Sequence, residues 1–142
     1  MHLLQANDGN GNGRSPRPDG DCYVASCQGS SWAGSPDWGV AGLTDDDPSL
    51  DLDDIPGTGP ENINIFDPSP SHPGWYQVFV HDYPNTVNNY NPNDVTVNIY
   101  LDGVLAQTFN FQMTGEDTDH YVAKIQWPQG NIVACNGLAG CP

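Results

Sequence analysis

The sequence predicts an all-β fold: an antiparallel β-sandwich, Ig-like or jelly-roll-like, of about seven short strands with long acidic loops. Three observations carry this. The 142 residues include 16 Gly, 13 Pro, 14 Asn and 16 Asp, residue types that disfavour helices and favour turns. From Glu61 onward apolar residues recur with a period of two, the spacing of half-buried strands. No apolar stripe at helical spacing runs to a useful length, and no internal repeat is visible.

The elements follow in order. A short apolar start, Leu3-Leu4, gives the first strand, and Cys22-Tyr23-Val24-Ala25 gives a second. Between them, Asn7-Asp8-Gly9-Asn10-Gly11-Asn12-Gly13 is too rich in Gly and Asn to hold regular structure. Ile63 and Ile65 alternate with Asn62 and Asn64. In Trp75–Tyr83 one face presents Tyr76, Val78 and Val80. Val95, Val97, Ile99 and Leu101 share the next face, opposite Thr96, Asn98 and Tyr100. Asp102-Gly103 is the two-residue turn of a tight hairpin, because both types tolerate positive φ. The return strand, Val104–Phe111, places Leu105, Phe109 and Phe111 on one side. His120–Trp127 places Tyr121, Ala123, Ile125 and Trp127 on a common face. Residues 1–142 thus read as one domain, with a loop-rich acidic part at 5–60, a strand-rich part at 61–127 and a C-terminal disulfide tail at 128–142.

The four cysteines form two close pairs, Cys22/Cys27 and Cys135/Cys141. Local disulfides at 22–27 and 135–141 are favoured among the three possible pairings. A zinc site is the alternative, but no His lies close by in sequence. Disulfides place the chain outside the cell, secreted or on the cell surface. Met1-His2-Leu3-Leu4 lacks the apolar core of a signal peptide, so the expectation is a removed leader or an excised domain.

Eighteen acids against three basic residues give a formal net charge of −15. Such a surface repels phosphate backbones and anionic lipid, which argues against nucleic-acid and direct membrane partners. No apolar run approaches the roughly 20 residues of a membrane helix. Other copies of the chain or cell-surface polymers remain as the expected partners.

The segments Asp37-Trp38-Gly39, Asp47-Pro48-Ser49-Leu50-Asp51-Leu52-Asp53-Asp54 and Gly57-x-Gly59-Pro60-Glu61-Asn62-Ile63 carry a family resemblance. So do His2-Leu3-Leu4, Cys22-Tyr23 and Gly74 to Tyr83. With them the chain resembles, to about residue 127, the YfaP-type secreted bacterial β-sandwich domains of myxobacterial and related surface proteins, a family of unknown function. Gly-Pro-Glu-Asn after clustered Asp is the most specific part of the match. Two departures stand out: the acids that usually precede the His2 position have no counterpart, and Asp82 replaces an aromatic residue. The resemblance implies a sandwich fold and a surface location.

The strongest chemical signal is Asp45, Asp46, Asp47, Asp51, Asp53 and Asp54, six carboxylates in ten residues. Like charges this dense repel, and Ca²⁺ answers them by taking six to eight oxygens in a flexible cage. The expected ligands are Asp47, Asp51, Asp53, Asp54 and Glu61. Asp51 and Asp53 share one strand face if 50–54 is extended, with Leu50 and Leu52 anchoring the other. The plain alternative is a solvated acidic loop. A second, weaker calcium candidate is Asp8, Asn10 and Asn12, with the D-x-N-x-N-G start of an EF-type loop; Asp19 stands where that loop has a bidentate Glu, and flanking helices are missing.

Enzyme chemistry is not expected. Any Asp-rich loop offers paired carboxylates, so a glycosidase signal is weak. His81 and Asp82 point to opposite faces of a strand and form no relay; His81 faces away from the core as a surface histidine. No nucleophile elbow, zincin helix or phosphate loop is present. Trp127 closes a core face, Trp75 lies opposite it, and Trp32 and Trp38 sit in loops, where sugar stacking competes with a satellite cluster. Lys124 is placed on the solvent side, in an ion pair within the acidic field. The sequence thus points to an extracellular calcium-binding β-sandwich module for binding or surface assembly. The runner-up is a filament subunit joined by strand exchange, and third comes a carbohydrate-active enzyme or carbohydrate-binding module.

Overall fold

A computed structural model of the chain describes residues 1–6, 21–27, 36–52, 60–68, 74–82, 92–113 and 118–137. Within them lie β1 (His2–Ala6), β2 (Asp21–Cys22), a single helical turn α1 (Val24–Cys27), β3 (Pro48–Leu52), β4 (Asn62–Ile65), β5 (Gly74–Asp82), β6 (Asn93–Leu101), β7 (Val104–Met113), β8 (Thr118–Trp127) and β9 (Asn131–Gly137). Every pairing is antiparallel. The expected all-β class holds. Five strands form one sheet in the order β2-β1-β5-β8-β9, while β3-β4 and β6-β7 are separate two-stranded units.

Alternating strands bury at least one face, and one face from each sheet meets in a shared main core. Tyr76, Val78, Ala123 and Ile125 come from the five-stranded sheet, Leu50 from β3, and Val97 and Ile99 from β6. Cys22 and Cys27 join the same cluster. Their disulfide spans a Cα–Cα distance of 5.1 Å and closes the α1 turn, where the sequence predicts continued strand. Trp127 packs against this core and donates its indole N–H to the Pro68 carbonyl at 3.1 Å. The two layers also touch through rings: Phe111 of β7 stacks on His120 of β8 at 3.8 Å and 5°. Gly137 (φ 83°) lies so close that a Cβ there would sit 3.0 Å from the His120 ring.

Three β-bulges correct the predicted faces. A bulge sets two residues against one and reverses the side-chain alternation beyond it. On β8 the extra residue is Val122, since Val78 pairs with Ala123 but Phe79 with Tyr121. Tyr121 therefore leaves the Ala123/Ile125 face and joins Phe79 and Cys135 in a second buried cluster, ring centroids 5.2 Å apart. On β7 the extra residue is Ala106, between the Ile99–Gln107 and Tyr100–Leu105 pairs. Leu105 is turned out and 51% exposed, away from Phe109 and Phe111. On β3 the extra residue is Asp51, between the Leu50–Ile63 and Leu52–Asn62 pairs. Leu50 stays buried but Leu52 is exposed, so Leu52 is not the anchor expected.

The hairpin turn matches its sequence. Asp102 (φ 51°) and Gly103 (φ 74°) both adopt positive φ, as a right-twisted two-residue hairpin requires. Residues 131–137, within the expected tail, form β9 at the edge of the large sheet. Cys135 on β9 is disulfide-bonded; Cys141, its expected partner, lies outside the described residues.

The second cluster makes a clear prediction. Phe79 is 0% exposed and Phe66 is 84% exposed. Phe79→Ala should cost about 3–5 kcal/mol in urea unfolding, and Phe66→Ala no more than about 0.5 kcal/mol. Equal losses would mean that the outer face of the large sheet carries no packing.

Candidate functional site

Residues 36–47 enter β3 without strand pairing, so their backbone N–H groups need other acceptors. Aspartate side chains supply them. Asp47 Oδ1 accepts the Trp38 N–H at 2.6 Å, and Asp46 Oδ2 accepts the Val40 N–H at 2.7 Å. Both oxygens of Asp37 accept the Gly42 N–H, at 3.0 and 3.2 Å. Gly42 sits at φ 80°, a conformation that favours glycine. The Asp67 N–H reaches the Asp45 carbonyl at 2.8 Å, tying the loop to the chain beyond β4. Trp38 anchors the loop below: it is buried in the main core, its ring 5.6 Å from that of Tyr76. Of the two sequence readings of Trp38, burial wins.

This arrangement turns Asp46 inward and Asp47 partly so, while Asp37 stays exposed. Asp46 is 2% exposed, and its second oxygen, Oδ1, is buried with no hydrogen-bond partner. Burial pushes the Asp47 carboxyl above the ordinary aspartate value, opposed by the Trp38 amide and reinforced by the charges of Asp37 and Asp46. Three carboxylates thus act on one another around this loop. Lys124 is the one Lys or Arg side chain among the described residues, and it does not belong to this loop. It is buried on the outer face of the large sheet, not solvent-facing as expected, with its ammonium 4.9 Å from the Trp75 ring centroid.

Of the expected calcium ligands, Asp47, Asp51 and Glu61 fall among the described residues. Asp47 stands just before β3, and Asp51 is the bulged residue within it. Asp51 is already a hydrogen-bond hub: Oδ1 accepts the Ser49 hydroxyl at 2.7 Å, and Oδ2 accepts the side-chain amides of Asn62 at 3.1 Å and of Asn64. Glu61 pairs with the amine of Met1. Asp53, Asp54, Asp8, Asn10 and Asn12 lie outside the described residues. Among the described residues no three His, Cys, Asp or Glu side chains form a group able to hold a metal by themselves. Asp37 was not among the predicted ligands; its bond to the Gly42 amide spans five residues, beyond the two-residue reach of an Asx turn.

His81 does face away from the core stripe, but it is not a plain surface histidine. Its Nδ1 lies 2.7 Å from Oδ1 of Asp119, the residue directly across on β8. Such a cross-strand pair secures the β5–β8 register.

No protein-family model, curated protein or solved structure matches the chain. Its fold class is therefore defined by its own geometry: an all-β sandwich with an aspartate-clamped loop.

The Asp47 shift has a sign. A carboxyl raised above its unfolded value of 3.8 binds a proton more readily when folded, so folding gains as pH falls through the interval from the raised value to 3.8. In calcium-free buffer, Asp47→Asn should remove that gain while keeping an acceptor for the Trp38 amide. The melting temperature of the wild type relative to the variant should rise as pH falls from 7 to about 4. Parallel curves would mean that burial and repulsion do not act on Asp47.

Proposed function

We propose that the protein is an extracellular calcium-binding β-sandwich module that serves binding or surface assembly and is not a catalyst. One observation carries the reading: the Asp37/Asp46/Asp47 loop concentrates negative charge partly out of water with no described Lys or Arg side chain to answer it. Burying unpaired charge is costly, and a hard divalent cation that prefers carboxylate and carbonyl oxygen is the economical remedy. The disulfides support an oxidising, extracellular setting. Outside cells such a site works at weak affinity, on the order of 10⁻⁴–10⁻³ M.

A second reading, a filament subunit, draws on the β6-β7 unit. Its nine-residue and ten-residue strands pair with each other and with no other described strand. Edges of that length, where left open, recruit strands from neighbours.

Calcium-dependent melting tests the first reading. At about 10 mM Ca²⁺ and the affinities above, mass action stabilises the folded chain by roughly 1.4–2.7 kcal/mol. For a domain of this size the melting temperature should rise by several degrees, on the order of 3–10 °C. Identical melting in chelator and in excess Ca²⁺ would reduce the loop to a solvated surface. Light scattering in the same solutions separates the readings: a module stays monomeric, and ordered polymers would favour the filament.

A further inference from the structure

We propose that the calcium site is centred on Asp46, with Oδ1 of its buried carboxylate as the primary ligand and Asp47 as its neighbour, and not on Asp51 and Glu61. The proposal rests on the calcium reading above and gives it a place. Asp46 is the carboxylate whose geometry calls for a ligand. Its Oδ2 is fixed by the Val40 amide, which orients the group, while Oδ1 is buried and accepts nothing. A charged acceptor out of water with no donor is among the costliest states a polar group can hold. A cation at Oδ1 answers that oxygen and leaves the Val40 bond to Oδ2 in place.

Asp47 lies on the next residue with its rotamer held by the Trp38 amide through Oδ1. The two carboxyls are therefore oriented before any ion arrives, so little ordering remains to oppose binding. Two side chains do not fill a calcium shell. Backbone carbonyls and water complete it, as they commonly do for this ion, which also suits a site without a third converging carboxylate. Asp51 offers the opposite case. Both its oxygens already accept hydrogen bonds from Ser49, Asn62 and Asn64, so its charge is answered without an ion.

The test uses the intact, disulfide-bonded protein and Ca²⁺ itself, followed by amide NMR. In the wild type, Ca²⁺ should shift the backbone amides of Val40 and Trp38 most, since they donate to the proposed carboxylates, and leave the side-chain amides of Asn62 and Asn64 quiet. Asp46→Asn keeps an oxygen for Val40 and should weaken Ca²⁺ binding by about tenfold or more; Asp51→Asn should leave it within about threefold. Shifts at Asn62 and Asn64 with Val40 and Trp38 silent would overturn the Asp46 placement and leave calcium binding standing. Asp46→Asn binding like the wild type would overturn it as well, assigning Oδ1 to water. No shift anywhere, together with no change in melting, would sink the calcium reading itself.

Discussion

A stretch of backbone without a strand partner has to find other acceptors for its amides, and between Pro36 and Asp47 aspartates supply three of them. Trp38, Val40 and Gly42 donate to Asp47, Asp46 and Asp37 in turn. Each bond to a carboxylate is stronger than one to a neutral carbonyl. The same device gathers negative charge where water is scarce, as the raised Asp47 shows. Loop order and loop repulsion thus have one source. A cation relieves the second without loosening the first.

The sandwich gives this loop its footing. Trp38 and Leu50 bracket the clamp, one before it and one after, and both lie in the core with Tyr76 and Val78 of the central strand. The Cys22–Cys27 bridge packs into that core from the β2–α1 side. Displacing the loop would therefore pull an indole out of the main core, a loss of several kcal/mol by the usual cost of large aromatic truncations, about 3–5 kcal/mol. Clamp and core hold each other in place.

Much of the fold was legible because period-two alternation survives wherever a strand runs unbroken. Tyr76, Val78 and Val80 kept one face on β5, and Asp102-Gly103 made the expected turn. Tyr121, Leu105 and Leu52 escaped because each lies just past a bulge, where one extra residue reverses every face without altering composition. Lys124 escaped for another reason: both faces of the large sheet are buried at its position, and alternation assumes that one is wet. The acidic segment around Asp47 was legible as a charge problem. Which oxygen would be left over was not, since that depends on the Val40 amide choosing Oδ2 of Asp46, a matter of loop geometry that a string of aspartates does not encode.

The central claim is that carboxylates hold this loop and that Ca²⁺ strengthens their hold. Amide hydrogen exchange at Trp38, Val40 and Gly42 measures it most directly, because these three N–H groups are the bonds in question. In chelator all three should exchange more slowly than free peptide, and Ca²⁺ should slow them further as a set. Exchange at the free-peptide rate in chelator, or rates that Ca²⁺ leaves unchanged, would contradict the account.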